Sequence, residues 1–317
     1  MRIVPVDTKI NFLARWKMWV TVSVVFVVAS VISMFVPGLN YGIDFSGGTL
    51  VQTQTERAVP IEDLRAALTK ENVKGFSIQT FDGADDEFLI RLAGEGGSGV
   101  EAKKNADLVT KILTPLGGNV DIRRVEFVGP QIGDELKTKG LIALLTSLFA
   151  ILIYISMRFE MRFALGAIAA LAHDIFLTVG VFVLLQKEMT MAVLAALLTI
   201  IGYSLNDTIV VFDRVRENRR KYHKREMIDV LNLSVNEMLN RTLMTSLTTL
   251  AVLLALFFLG GGVIHDFAFT LMFGVLVGTY SSIFIASPIV LMLENYYQNL
   301  PKDETPKGFI SKDGAQV

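Results

Sequence analysis

The residue types that could do chemistry in this chain lie where charge is expensive. Asp207 falls in the run I-G-Y-S-L-N-D-T-I-V-V-F-D-R-V-R-E-N (Ile201 to Asn218), and Met189 to Phe212 is otherwise uncharged and long enough to cross a bilayer. A carboxyl at such depth costs about 2.5–3.5 kcal/mol, so it marks a functional site by default. Thr199, Tyr203, Asn206 and Asp207 stand at i, i+4, i+7 and i+8 and share one helical face. Arg241, Thr245, Thr248 and Thr249 repeat the same offsets in the next apolar segment. The two segments run in opposite directions. Asp207 lies about 7 Å from the inner end of its segment, and Arg241 opens the other, so the guanidinium is expected to snorkel to the carboxylate. The chemistry suggested is a protonatable carboxyl gated by an arginine, beside a hydroxyl stripe that can hold a file of water. A static ion pair with threonines as interhelical glue uses the same residues, but it needs no polar path, which favours the titrating reading.

A second carboxyl, in the pair His173-Asp174, falls at the centre of Phe163 to Leu185. Burial there makes a neutral, proton-carrying form accessible, and Thr178 at i+4 lies on the Asp174 face. A relay role and the capping of a neighbour's polar group both remain open.

The elements that must position these residues follow from composition. Of 317 residues 52% are apolar and 19% charged, with a mean hydropathy of +0.49; soluble domains carry about 25% charged residues. The net charge of −1 gives no basic field for nucleic acid. Absence of cysteine excludes thiol chemistry and disulfides. Three histidines without an H-x-x-H pattern argue against a zinc site, and no G-x-x-x-x-G-K-[ST] loop is present for a nucleotide. No cofactor is expected.

Apolar runs of about 18 residues or more predict six transmembrane helices: 18–36, 140–157, 163–185, 189–212, 242–262 and 267–293. The first reads as a retained anchor rather than a cleaved signal, because no clear A-x-A site precedes Pro37. Lys and Arg cluster before the first span, between the second and third (Arg158, Arg162) and between the fourth and fifth (Arg214 to Arg225). The positive-inside rule therefore predicts a multi-pass inner (cytoplasmic) membrane protein with a cytoplasmic N-terminus (1–17), a cytoplasmic tail (294–317) and an exported segment 37–139. Within that segment Thr49–Thr55 alternates like a strand, Pro60 opens a helix, Phe76–Phe81 and Phe88–Leu92 form a hairpin through an Asp/Gly turn, Ala102, Ala106, Val109 and Leu113 share a helical face, and Asp121–Val128 closes as a strand. The order β-α-β-β-α-β is the ferredoxin-like arrangement, which alone decides no function. The Gly94 to Gly99 loop reads as a flexible turn. Gly274, Gly278, Ser282 and Ala286 form a small-residue stripe for close helix packing, Pro288 predicts a kink, and His265-Asp266 reads as a solvated external turn.

The chain resembles the SecF family, the smaller membrane subunit of the bacterial SecDF complex and a branch of the resistance-nodulation-division superfamily. The resemblance rests on Y-G-I-D-F-S-G-G-T (Tyr41 to Thr49), F-V-G-P-Q-I-G-D-E-L (Phe127 to Leu136), R-F-E-M-R-F-A-L-G-A-I (Arg158 to Ile168), A-H-D (Ala172 to Asp174), S-L-N-D-T-I-V-V-F-D-R-V-R-E-N (Ser204 to Asn218) and N-R-T-L-M-T-S-L-T-T-L (Asn240 to Leu250). It implies a protein-transport subunit rather than an enzyme. With a SecD partner beside the SecYEG translocon, and with YajC and YidC as further associates, such a subunit uses the proton motive force to help preproteins emerge. It also implies that Asp207 and Arg241 are the critical membrane residues; the polar stripes add Tyr203, Asn206 and Thr245, and the third span adds Asp174, as candidates along the proton pathway. Gly42, Asp44, Gly47, Gly48, Gly129, Pro130 and Gly133 would be the loop residues that pass motion outward. An exporter of small molecules or lipids, as elsewhere in the superfamily, and a passive scaffold of the translocon are the alternatives.

Overall fold

The computed structural model describes residue 5 and residues 8–73, 75–80, 85–93 and 99–298. The expected Asp/Gly hairpin turn, nearly all of the Gly94 to Gly99 loop and the tail beyond residue 298 lie outside the described residues. In chain order the elements are α1 (Trp16–Ser33), a π turn (Met34–Gly38), α2 (Ile43–Ser46), β1 (Gly48–Thr55), α3 (Ile61–Lys70), β2 (Phe76–Thr80), β3 (Glu87–Leu92), α4 (Gly99–Gly117) and β4 (Val120–Val128). There follow α5 (Pro130–Arg158), α6 (Met161–Leu184), α7 (Met191–Lys221), α8 (Met227–Leu259), α9 (Gly262–Ser281), a π segment (Ser282–Ala286) and α10 (Ser287–Gln298). They form two units: an α/β unit of Asn40–Ala143 with Glu188–Met191, and a helical unit of the remainder.

Alternation decides the α/β unit. Val51, Thr53 and Thr55 of β1 are buried while Gln52 and Gln54 between them are half-buried, as expected of a strand with one covered face. The sheet order is β2-β3-β1-β4, every neighbouring pair is antiparallel, and Val51 stands opposite both Ile90 and Val125. This is the split βαβ order, which makes the molecule a helical membrane-protein type with a ferredoxin-like α+β insertion. α3 and α4 bury Leu64, Leu68, Ala106, Val109 and Leu113 against Val51, Phe88, Ile90 and Leu92. The face read from the α4 periodicity is thus the buried one.

Among the described residues six helices are long and apolar enough to cross a membrane. Small residues let them approach closely. A Cβ at Gly180 of α6 would overlap Ser30 of α1, one at Gly274 would overlap Ile200 of α7, and one at Gly278 would lie 3.0 Å from Ser204 Cβ. The stripe Gly274–Ala286 is therefore consumed inside the chain, with Gly274 and Gly278 on α7 and the Ala286 carbonyl 3.0 Å from a Cβ at Gly166 of α6. The kink expected at Pro288 is absorbed just before it by the π segment Ser282–Ala286, since a proline cannot donate its N–H and crowds the preceding turn. His265-Asp266 departs from its expectation as a solvated turn. Both residues lie in the first turns of α9; Asp266 pairs with Lys187 at 2.6 Å and the His265 ring lies 4.1 Å from that of Phe257. Glu294, which hydropathy assigns to the tail, is a buried anchor of α10 held by Arg162 and, at 3.1 Å, by Arg219.

Candidate functional site

Asp207 is carried by α7 and is 7% exposed. Its Oδ1 accepts the Thr242 hydroxyl at 2.9 Å and its Oδ2 the Ser282 hydroxyl at 3.4 Å. Ser282 Oγ also lies 3.0 Å from the Thr279 carbonyl. A hydroxyl has one proton and two lone pairs. A carboxylate can accept from Ser282, whereas a neutral acid can donate to it while Ser282 turns its proton to Thr279. The surroundings thus satisfy Asp207 in either protonation state.

The expected meeting of Asp207 and Arg241 does not occur. Among the described residues Arg241 makes no ion pair, and it is exposed. The reason is rotation: successive residues on a helix turn by about 100°, so Thr242 faces Asp207 while its neighbour Arg241 turns outward. The guanidinium therefore does not touch the carboxyl.

Asp174 differs. It is 0% exposed, and three groups converge on it: His173 Nδ1 at 2.9 Å from Oδ1, Ser281 Oγ at 2.8 Å from Oδ2, and Ser204 Oγ also on Oδ2. Thr178, read as sharing the Asp174 face, bonds the backbone carbonyl of Asp174 instead, at 2.7 Å. His173 stacks on Tyr280 with centroids 6.0 Å apart, and its buried Nε2 finds no partner among the described residues.

The two carboxyls share supports. α7 supplies both Ser204 and Asp207, and the adjacent residues Ser281 and Ser282, where α9 enters the π segment, serve Asp174 and Asp207 respectively. A π bulge of this kind is frequent at functional sites. Sequence reading missed Ser204, Thr242 and Ser281, and took Ser282 only as a packing residue; the signal was a serine pair opposite an intramembrane Asp.

The polar stripes lie on the outer face of α7 and α8, except that Asp207, expected on the same face as Thr199, Tyr203 and Asn206, is turned inward and buried. Thr199, Asn206, Arg241, Thr245 and Thr248 are exposed and Tyr203 is half-buried. Tyr203 reaches across to Thr249 at 3.3 Å, and Thr245 folds back on the Arg241 and Thr242 carbonyls at 3.1 and 2.9 Å. Polar groups facing outward at bilayer depth are unfavourable against lipid.

The glycine motifs meet within the α/β unit. Gly47 has φ +71°, and a Cβ there would be 2.8 Å from Pro130 Cα; one at Gly133 would be 2.9 Å from Gly47 N. Only glycine fits this crossing. Gly48 pairs with Val128 at the end of the β1–β4 ladder, while a side chain at Gly129 would meet nothing within 4 Å.

Six membrane-length helices among the described residues, with Asp174 and Asp207 buried among them and one ferredoxin-like unit between the first two in the chain, define a polytopic membrane protein. Two family models match the chain: the protein export membrane protein SecD/SecF C-terminal model over residues 108–296 and the SecD/SecF GG motif over residues 32–59. The protein translocase subunit SecF of Magnetococcus marinus is 49% identical over 90% of this chain and 93% of its own length. That of Vibrio alginolyticus is 43% identical over 99% and 98%. Among solved structures, the crystal structure of SecDF from Thermus matches with a TM-score of 0.82 and 37% identity over 92% of this chain. SecDF in its super-membrane-facing form matches with 0.70 and 36% over 93%. The chain spans 40% of each of those SecDF chains. It belongs to the SecD/SecF family of protein export membrane proteins, in the SecF branch.

Proposed function

We propose that this chain is the SecF half of a SecDF-type unit that uses the proton motive force to assist preprotein translocation and release across the inner membrane. The observation that carries the proposal is Asp207: a buried carboxyl at membrane depth, satisfied in both protonation states, one residue from an outward-facing polar stripe. Asp207 is the group that takes and releases the proton, and Arg241 is the charge that senses its state through space. Asn206, Tyr203 and Thr245 line the route. Asp174, enclosed by three partners, holds α6, α7 and α9 together rather than carrying protons. One charge crossing 100 mV supplies about 2.3 kcal/mol, enough to bias a two-state element of that size. The unequal fit to two SecDF structures at nearly equal identity supports a family with more than one arrangement.

The outward polar face of α7 and α8 calls for a partner that supplies polar complement or water, and a SecD chain is the partner proposed, with SecYEG, possible associates YajC and YidC, and preproteins completing the assembly. The α/β unit is the exported part, and both termini are cytoplasmic. A cysteine at exposed Val100 of the cysteine-free chain should react with an impermeant thiol reagent from outside intact cells, and one at His223 only after permeabilisation; the reverse pattern would overturn the orientation. The activity itself is tested by export of a slow preprotein through vesicles holding the full complex, with and without a proton gradient. Gradient-independent export would refute the coupling and leave the scaffold alternative.

A further inference from the structure

Five ionisable side chains of α7, Asp213, Arg216, Glu217, Arg220 and Lys221, stand at i, i+3, i+4, i+7 and i+8 and share one helical face. With Arg158, the last residue of α5, they line an open cleft of about 580 Å³ that holds four cations against two carboxylates. Both carboxylates already have partners. Asp213 holds Arg158 at 3.2 Å and Glu217 holds Arg214 at 2.7 Å, while Glu237 of α8 takes the other side of Arg214 at 2.6 Å. Arg216 is half-buried and Lys221 lies 5.2 Å from the Tyr222 ring centroid; neither makes an ion pair among the described residues. Arg158 bonds Asp213 through Nη2, which leaves other N–H groups of its five. The wall is fixed from behind, since buried Phe159 and Phe212 pack with centroids 6.3 Å apart.

We propose that this cleft binds the phosphodiester headgroup of an anionic phospholipid, held by Arg216, Lys221 and Arg158, with its acyl chains along α5. Basic pockets between spanning helices suit such headgroups, and phosphate oxygens match the planar fork of a guanidinium. Orientation in the membrane requires Lys and Arg in the loop; it does not require them to converge from two helices on one cleft. A lipid is favoured over a soluble phosphate by what lies beside Arg158. The exposed side chains leading up to it on α5 include Phe149, Ile153, Tyr154 and Met157, the last 78% exposed. A headgroup in the cleft keeps its chains against that apolar surface, from which a soluble anion gains nothing.

The test places a fluorescent dye on Met157→Cys in the full complex, otherwise free of cysteine, in phosphatidylcholine vesicles with rising fractions of phosphatidylglycerol brominated on its acyl chains. Contact quenching then reads the preference for the anionic lipid at the cleft. Each cation near the surface contributes about fivefold, so Arg216→Ala and Lys221→Ala should each lower that preference by about this factor. Asp213→Asn, which removes a negative charge and releases Arg158, should raise it by about as much. Lys224→Ala, in the same basic loop but outside the cleft, should leave it unchanged. Equal quenching by brominated phosphatidylcholine would overturn the proposal. So would a Lys224→Ala effect as large as that of Arg216→Ala, which reduces the site to diffuse surface charge. Displacement of the lipid by millimolar inorganic phosphate would assign the cleft to a soluble anion and overturn it as well. Exclusion of phosphatidylglycerol from the assembled complex, as when an acidic segment of another subunit fills the cleft, has the same force. Should Arg216→Ala fail to accumulate, Asp213→Asn carries the test, because its expected change is a gain that a damaged fold does not produce.

Discussion

Asp174 and Asp207 are two intramembrane carboxyls that sequence treats almost alike, and the structure surrounds them in opposite ways. Asp174 is sealed, with His173, Ser204 and Ser281 aimed at it and no exposed surface. Asp207 has two hydroxyl partners, one of them at 3.4 Å with a second acceptor in reach, and it abuts the outward polar stripe. Ser281, like Ser282, has a backbone acceptor in reach, the Gly278 carbonyl at 3.1 Å, so the two sites differ in how fully their carboxyls are enclosed rather than in whether a hydroxyl can reverse its hydrogen bond. The number of partners and the nearness of the outward polar stripe, rather than depth alone, distinguish the proposed anchor from the proposed carrier.

The largest expected effect is on the anchor. Asp174→Ala leaves three buried polar groups without their acceptor, a loss of about 3 kcal/mol or more, and should deplete the folded protein on an immunoblot of membranes. Full accumulation of that variant would erase the contrast between the two sites. Next comes Arg241→Ala: an exposed residue that makes no ion pair among the described residues should cost within about 0.5 kcal/mol of stability, yet gradient-dependent export should vanish, read as export rate beside protein level. Asp207→Glu keeps the titrating group displaced by about one methylene and should retain part of the export. The smallest effect is Ser282→Ala, which removes the long hydrogen bond and should cost about 1 kcal/mol, visible as a small decrease in thermal midpoint with export slowed rather than lost. Equal losses from Ser282→Ala and Asp174→Ala would show that both carboxyls are anchors.

Much of the architecture was legible because periodicity reports burial. The buried faces of β1 and α4, the apolar spans and the two polar stripes all appear at period two or 3.6 in the chain. Partnerships across helices were not, because they depend on rotation and on contacts distant in sequence. Asp207 and Arg241 share a depth, but only the fold reveals that Thr242 turns inward in place of Arg241. Ser281 and Ser282 look like packing residues, since the small size that lets α9 approach α7 also delivers a hydroxyl to each carboxyl. The four residues Glu188–Met191 have no pattern at all, so the backbone hydrogen bonds of Met189 with Asn40 and Gly42, and that of Met191 N–H to Asp44, could not be anticipated.

The central claim is that Asp207 works by changing its charge, and Asp207→Asn addresses it directly. Asn keeps the size of the side chain and can accept from Thr242, but it cannot take up or release a proton. The measurement is preprotein export by reconstituted complex with and without a proton gradient, beside the amount of assembled protein. The expected result is normal assembly with export reduced to its gradient-free rate; gradient-stimulated export at the wild-type rate by a well-assembled Asp207→Asn complex would contradict it.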